Sequence, residues 1–334
     1  MKPPRTLVLG IAAALVWSTA VTAQAQSQTL KLNHTDTPSG ARHQASELFA
    51  RKFSEYSNGR YRVLVFHSAQ LGNDAQSIAQ VGKGDLDFTI SATGSFASLV
   101  PTLNLTALPY LVEGYEHGWR LYDQSPWMAS QFAQLPAKGM RVLATWEAGF
   151  RSFTTKTPLT SPADAAGKKI RIYNNEMLRW VMQSIGYEPV VIPVTDVYLA
   201  LQQGRVEGQE NPIDTIKALR FHEVAPHITL TQHVYSPLPF VVSEKLWQRL
   251  SAFDRSAMER AAREAAKLSR EIVRDNDQLQ LAEMKAKGAV VRTPDLTPFR
   301  TAVEPVYGQA RQKYGAEVDS LVGDAKRLAT PAPR

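Results

Sequence analysis

The chain of 334 residues is 44% hydrophobic and 21% charged, a balance that supports a substantial core and excludes disorder over most of its length. It contains no cysteine, which excludes disulfides, thiolate catalysis and cysteine-ligated metal centres. The formal charge of +7 is spread along the chain with acids interleaved, and no zinc-finger or RNA-reading pattern is present, so the excess suits attraction of small anions better than nucleic-acid binding.

Residues 1–25 read as a signal peptide. Met1-Lys-Pro-Pro-Arg5 is a basic start, Leu7 to Val16 is an apolar run too short to span a bilayer comfortably, and Ala23-Gln-Ala25 is a small-x-small cleavage pattern. Cleavage after Ala25 is expected, with export of a soluble protein to the periplasm. Thr29 to Asn33 then alternates as a short strand, and Leu48, Phe49, Phe53 and Tyr56 mark a helix that Asn58-Gly59 breaks. Tyr61 to Phe66 is a strand, Asp74 to Val81 a helix closed by Gly82 and Gly84, and Leu86 to Ile90 another strand. This alternation is the signature of parallel βαβ units.

The pattern recurs further on. Lys169 to Tyr173 is predicted as a strand, Met177 to Ile185 as a helix, Glu188 to Ile192 as a strand, Asp196 to Gln203 as a helix, and Val206 to Glu210 as the start of a further strand. IAQVGKGDLDF and LALQQGRVEGQ both read as helix end, glycine, basic residue and acid-bearing strand, which suggests one unit used twice. Leu250 to Gly288 is one long helical pattern with Met258, Ala262, Ala265, Ile272, Leu279 and Met284 as its apolar positions, started at Ser251 with Asp254 and stopped at Gly288. About 30 residues at ~1.5 Å each make a rod of roughly 45 Å, long enough to cross two domains. A short helix near Pro305 to Tyr314 follows. Two α/β domains and a rod across both suggest a hinged clamp, with ligand held at the carboxyl ends of the strands. The expected division is 26–148 plus 237–277 for the first domain and 149–236 plus 278–330 for the second.

Motifs for catalysis are missing: there is no Gly-x-Ser-x-Gly elbow, His-Glu-x-x-His pair or Walker loop. Gly82-Lys-Gly84 follows a helix and reads as a turn. His34 and His43 do not match metal-ligand spacing, and His34 reads as a pocket or turn residue. No metal and no cofactor is expected. Two arginines carry more information. Arg151 follows Gly149, which suggests a tight crossover between domains. Arg171 lies between Ile170 and Ile172 on a strand and so faces away from both, toward a sheet surface or edge. By itself this pattern also describes a solvated surface arginine. Likewise, Gly208-Gln-Glu-Asn-Pro212 is either turn punctuation or a set of side chains facing something.

Gly149-Phe-Arg-Ser-Phe-Thr, Ser161-Pro-Ala-Asp-Ala-Ala-Gly-Lys-Lys-Ile-Arg171, Asp196-Val-Tyr-Leu-Ala-Leu and Val206-Glu-Gly-Gln-Glu-Asn-Pro212 stand in register with Gln70-Leu-Gly-Asn-Asp74, Gly84-Asp-Leu-Asp-Phe88 and Leu108-Pro-Tyr110. In that order the chain resembles the solute-binding proteins of tripartite ATP-independent periplasmic (TRAP) transporters, of the C4-dicarboxylate-binding type, over essentially its whole mature length. The resemblance implies a two-domain periplasmic-binding-protein (flytrap) α/β fold with a long helix across both domains. It also implies a receptor, not an enzyme, that hands an organic acid to membrane permease subunits. It implies that Arg171 forms a two-pronged salt bridge with the ligand carboxylate, that Arg151 is a second anion contact, and that Asn211 bonds the same carboxylate from a hinge-side turn. A guanidinium fork matches carboxylate geometry, which agrees with this assignment.

Sialic-acid-binding members of the family carry an acid and an arginine where this chain has Ala92 and Ser95, and a phenylalanine where it has Val194; these departures argue against sialic acid. Candidate pocket liners are His34, Asp74, Glu147, Tyr173, Asn174, His233 and Tyr235. Asp74 and Glu147 are acceptors that suit hydroxyl groups and repel a second carboxylate. Trp146 and the tyrosines fit either a sugar ring or the core. The reading is a monomeric receptor for a sugar acid, a hexuronate or aldonate. A C4-dicarboxylate or other small organic acid is the alternative if Arg42 or another cation reaches the pocket. An enzyme acting on such acids and a sensor input module are the readings from other classes.

Overall fold

The computed structural model describes residues 27–329. The expected cleavage site after Ala25 and residues 330–334 lie outside that range. In chain order the elements are β1 (Gln28–Asn33), α1 (Ala41–Tyr56), β2 (Tyr61–Phe66), α2 (Asp74–Lys83), β3 (Phe88–Ile90), α3 (Tyr115–Gln124), α4 (Pro126–Phe132) and β4 (Met140–Thr155). They continue with β5 (Lys169–Ile172), α5 (Glu176–Ile185), β6 (Glu188–Val191), α6 (Val197–Gln202), β7 (Gly208–Asn211), α7 (Ile213–Ala218) and β8 (His227–Ser243). The rest are α8 (Glu244–Arg249), α9 (Ala252–Ala286), β9 (Val290–Arg292), α10 (Thr297–Val303), α11 (Pro305–Tyr314) and α12 (Ala316–Ala329).

The nine strands form one sheet in the order β2-β1-β3-β8-β4-β7-β5-β6, with β9 beside β8. The pattern of pairing, second-first-third strand of a unit and then a shared long strand, is the same read from either end. β1 lies parallel between β2 and β3, and β3 runs antiparallel to β8. β5 lies parallel between β6 and β7, and β7 runs antiparallel to β4. The expected repeat is therefore a repeat of strand pairing. In both copies the helix before the third strand ends at a left-handed glycine, Gly84 at φ 80° and Gly204 at φ 72°, the conformation that glycine adopts at least cost.

β4 and β8 belong to both halves. The start of β4 pairs with the end of β8 beside β3, and the end of β4 pairs with the start of β8 beside β7. Their register breaks between Val142 and Ala144, between Glu147 and Phe150 and between Arg151 and Phe153. Gly149 sits in the second break at φ 105°, and a Cβ there would meet Tyr115 Oη at 3.2 Å and Val273 Cγ1 at 3.3 Å. A side chain at this position would therefore be strained by both backbone and neighbours.

α9 spans 35 residues, about 52 Å at ~1.5 Å per residue. Ser251 caps it, accepting from the Asp254 amide at 3.1 Å. Ala257, Met258, Ala261, Ala262 and Ala265 pack into the core of the first half with Phe49, Phe88 and Phe240, while Leu281 and Met284 enter a core of the second half with Leu201, Ile216 and Phe221. Leu279, expected on the buried stripe, is exposed instead, and Val273 and Leu281 take the inward positions. A third core joins Leu103, Leu121 and Met128 to Ile170, Val181, Val318 and Leu321. The C-terminal helices thus tie segments that precede the β4 crossover to segments that follow it. Among the described residues no helix is long and apolar enough to cross a membrane.

Candidate functional site

The site is built where β5 and β7 end. Alternation along Lys169-Ile-Arg-Ile172 sends Ile170 and Ile172 into the core and leaves Arg171 on the other face. Arg171 is only 2% exposed. Its Nε donates to the Ile192 carbonyl at 2.8 Å, which fixes the plane of the guanidinium. Among the described residues no acidic oxygen pairs with it within 4 Å. Burial, then the nearby Arg151, hold its pKa down to about 10. A buried cation with its fork unanswered is costly unless an anion arrives.

Arg151 is different. It is 3% exposed, and its Nη2 donates to Glu210 Oε1 at 2.8 Å and to the Glu210 carbonyl at 2.6 Å, while its Nε forms a third, short bond to Glu210 Oε2. Nη1 reaches Ser236 Oγ at 3.3 Å. Burial would raise the Glu210 pKa, but Arg151 and His233 outweigh it and bring it to about 2. Arg151 is therefore neutralised within the protein, and the uncompensated positive charge of the site is that of Arg171. The Arg151 guanidinium also lies over the Tyr173 ring, 5.3 Å from its centroid.

Two cavities meet here. A small one of about 40 Å³ touches Arg42, Asp74, Arg151, Arg171, Tyr173 and Asn211. A larger one of about 550 Å³ shares Asp74, Ser95, Arg171, Tyr173 and Val194 with it and extends outward past Asn174 to Asn104, Glu176, Lys313 and Tyr314. That volume is typical of a small-molecule site, ~300–1,000 Å³. Asp74, the first residue of α2, accepts from Ser91 Oγ at 2.8 Å. Arg42 does reach the small cavity, but it stands 3.5 Å from Asp36 and 3.8 Å from Asp74, so its charge is already opposed. Ala92, Ser95 and Val194, singled out as specificity positions, all line the cleft.

The structure thus brings together Arg171, Arg151, Asn211, Asp74, Tyr173 and Asn174. It places four other sequence candidates elsewhere. Glu147 is 1% exposed at the β4 crossover, where its carboxylate accepts from Tyr235 Oη at 2.6 Å, Trp119 Nε1 at 2.7 Å and the Gly149 and Ala148 amides at 2.7 and 3.1 Å. Burial raises its pKa to about 7 against those bonds. Its carboxylate is met by protein donors at the β4–β8 crossover, and it does not line either cavity. Tyr235 is its partner and lies in the core. His233 stacks on Phe153 at 4.6 Å and faces Glu210 at 3.4 Å. His34 is 1% exposed and pairs with His43 at 3.2 Å. Trp146 is core.

Gly208-Gln-Glu-Asn211 is also not a turn. It is a strand buried between β4 and β5, and the chain turns only at Pro212, which leads into α7. Glu210 was not identified from sequence; the available signal was an acid on a strand that would lie beside the one carrying Arg151. The outer rim of Asn104, Glu176, Lys313 and Tyr314 was also missed, because these residues come from three distant segments without a motif. Among the described residues no group of three or more His, Asp or Glu side chains is placed to hold a metal.

The sequence profile of bacterial extracellular solute-binding protein family 7 matches residues 32–313. The chain is 30% identical to the sialic acid-binding periplasmic protein of Vibrio cholerae over 87% of its own length and 91% of that protein's. The fold superposes with a TM-score of 0.87 on the sugar acid binding protein of Advenella mimigardefordensis in complex with galactonate, at 28% identity, covering 91% of this chain and 99% of that one. It also superposes at 0.84 on a TRAP periplasmic solute binding protein of Sulfurospirillum deleyianum with bound succinate, at 28% identity, covering 90% and 98% of the two chains.

Proposed function

Since the chain belongs to bacterial extracellular solute-binding protein family 7, we propose that it is the receptor of a TRAP transporter that captures a sugar acid, a hexuronate or an aldonate, through Arg171. The family consists of periplasmic solute-binding receptors, not enzymes. The observation that carries the ligand reading is the buried Arg171 fork without a protein counterion. A carboxylate placed there receives two parallel charge-assisted bonds, with Asn211 as an additional donor beside them. Arg151, locked by Glu210, orients Tyr173 and the end of β7 and adds no net charge. Asp74 supplies an acceptor for a hydroxyl close to the carboxylate. Of the acids that line the cleft, Asp36 faces Arg42 and Glu176 is paired with Lys313, which leaves Asp74, backed by Ser91 and Arg42, as the acceptor nearest Arg171.

The lobes are proposed as 26–148 plus 237–277 and 149–236 plus 278–330, hinged where β4 and β8 cross. What supports this is the register break around Gly149 and the change of neighbours along both strands. Cleavage after Ala25 releases the mature receptor, which acts as a monomer and delivers its ligand to the membrane permease subunits. Closure is favoured because it adds contacts from the second lobe to a ligand already held by the first.

A thermal-shift screen of the mature protein against uronates, aldonates, dicarboxylates, keto acids and aromatic acids tests the ligand class, because a ligand that binds only the native state raises the midpoint by mass action. A shift with uronates or aldonates is expected. A shift with dicarboxylates alone keeps the receptor and its arginine but removes the sugar acid, and points to Arg42 as the second cation.

A further inference from the structure

The carboxylate end of the cleft is polar and Ser95, Ser98 and Asn174 also line the large cavity, but two apolar stretches run along it. Beyond Arg171 the large cavity runs between Ile78, Ala97 and Pro101 on one side and Val191, Pro193 and Val194 on the other. None of these six side chains can donate or accept a hydrogen bond. Val191 is 42% exposed, one of few large apolar side chains left in water by the fold. The polar groups at the outer rim are already matched to each other: Lys313 Nζ lies 2.5 and 2.7 Å from the two Glu176 oxygens, Tyr314 Oη donates to Glu176 at 2.8 Å and accepts from Asn104 at 3.1 Å. Asn73, at the cavity edge, caps α2 through the Gln76 amide at 3.1 Å. A hydroxyl pressed between these walls would lose water without gaining a partner, which is unfavourable. An apolar group there would instead release water from Val191 and its neighbours, which is favourable.

We infer that the ligand is amphipathic: a sugar acid whose carboxylate sits at Arg171 and whose opposite end carries an apolar substituent held between the Ile78 and Val191 walls. This rests on the sugar-acid reading above and narrows it. A glycoside of a hexuronic acid has the required layout, with the acid at one end of the ring and the substituent at the other. The hydroxyls nearest the acid face Asp74 and Tyr173, and the substituent replaces the water that now wets Val191.

Calorimetric titration with D-glucuronate, D-galacturonate and their phenyl β-glycosides tests it, on the natural sequence and on Val191→Ser. At least one phenyl glycoside should bind on the order of tenfold more tightly than its parent acid, as expected for burying one face of an aromatic ring. Val191→Ser should close most of that gap, and the melting temperature of the unliganded variant shows that the exposed position has not disturbed folding. If a parent uronate binds and its phenyl glycoside binds equally or more weakly, the inference is overturned and the sugar-acid reading stands. If neither the uronates nor their glycosides bind, the inference is overturned, and the sugar-acid reading then stands only if an aldonate binds.

Discussion

Arg171→Met tests the site through two quantities that should move in opposite directions. In the free protein the guanidinium is buried, held at Nε by the Ile192 carbonyl, and without an acidic partner. Its pKa falls from 12.5 to about 10, mainly from burial, so keeping it charged costs folding on the order of 3 kcal/mol at neutral pH. Methionine fills much of the same volume without that cost. The unliganded variant should melt no lower than the natural protein. With ligand the balance reverses. A carboxylate about 4 Å from the guanidinium gains ~4 kcal/mol at an effective dielectric of about 20, and removing one member of such a pair costs about 2–5 kcal/mol of binding. The dissociation constant should rise by roughly 30-fold to several thousand-fold. Arg171→Lys should recover only part of this, because a point charge lacks the fork. Calorimetric titration reads the affinity and scanning calorimetry the stability. A dissociation constant within about threefold of the natural protein would remove Arg171 from the site. A marked fall in the melting temperature without ligand would show that Arg171 is paired in the free protein and is not awaiting an anion.

Glu147→Gln probes the hinge acid. Its folded pKa, about 7, lies above the ordinary 4.5 because of burial, so the native state holds this proton more tightly than the unfolded chain. Its contribution to stability is therefore greatest below pH ~4.5 and declines as pH rises through ~7. Denaturant unfolding across that window should show a shallower decline in the glutamine variant; parallel curves would assign the titration to another group. Glu210→Gln leaves Arg151 buried beside a neutral amide and should destabilise the fold by about 3–5 kcal/mol, measured by urea unfolding; a loss below ~1 kcal/mol would mean that solvent replaces the acid. X-ray scattering should show the protein contracting when its ligand is added, and a radius of gyration that stays the same would count against closure at the β4–β8 crossover.

Periodicity and punctuation were enough to place the βαβ units, the twofold use of the helix–glycine–strand unit and the long helix, because each is a local pattern with its own stop signal. Alternation also put Arg171 on the face opposite its isoleucines, which is where the cleft lies. The errors arise at long range. Glu147, His233 and Tyr235 lie in the middle of β4 and β8 and His34 just after β1, and sequence cannot distinguish a polar group facing ligand from one satisfied by a distant partner. Trp119 and Tyr235, which fill the Glu147 carboxylate, lie 28 and 88 residues from it. Gly208 to Asn211 reads both as the continuation of a strand begun at Val206 and as a hinge-side turn, and only the strand is found; the segment is polar throughout, and its burial depends on β4, which supplies Arg151 to Glu210 from 59 residues away. Of the apolar walls only Val194 was marked, through the family resemblance; the rest were missed because valine, proline and isoleucine in a strand-rich chain read as core until a cavity is seen beside them.

The mirrored sheet also sets a timetable for the growing chain. β3 is complete at Ile90, yet the strand that covers its open edge is Phe240 to Val242 of β8. Between them come the shared strand β4 and the three parallel strands β5 to β7 of the other half. The first half therefore waits with an unpaired edge until roughly three quarters of the polypeptide has been made, and closing so long a loop is a slow, non-local step. A truncated product ending after β7 would carry both incomplete sheets, each with a backbone edge open to any passing strand. Neither half can be expressed from one continuous stretch of gene, and exchanging one between relatives would require junctions in β4, in β8 and along α9.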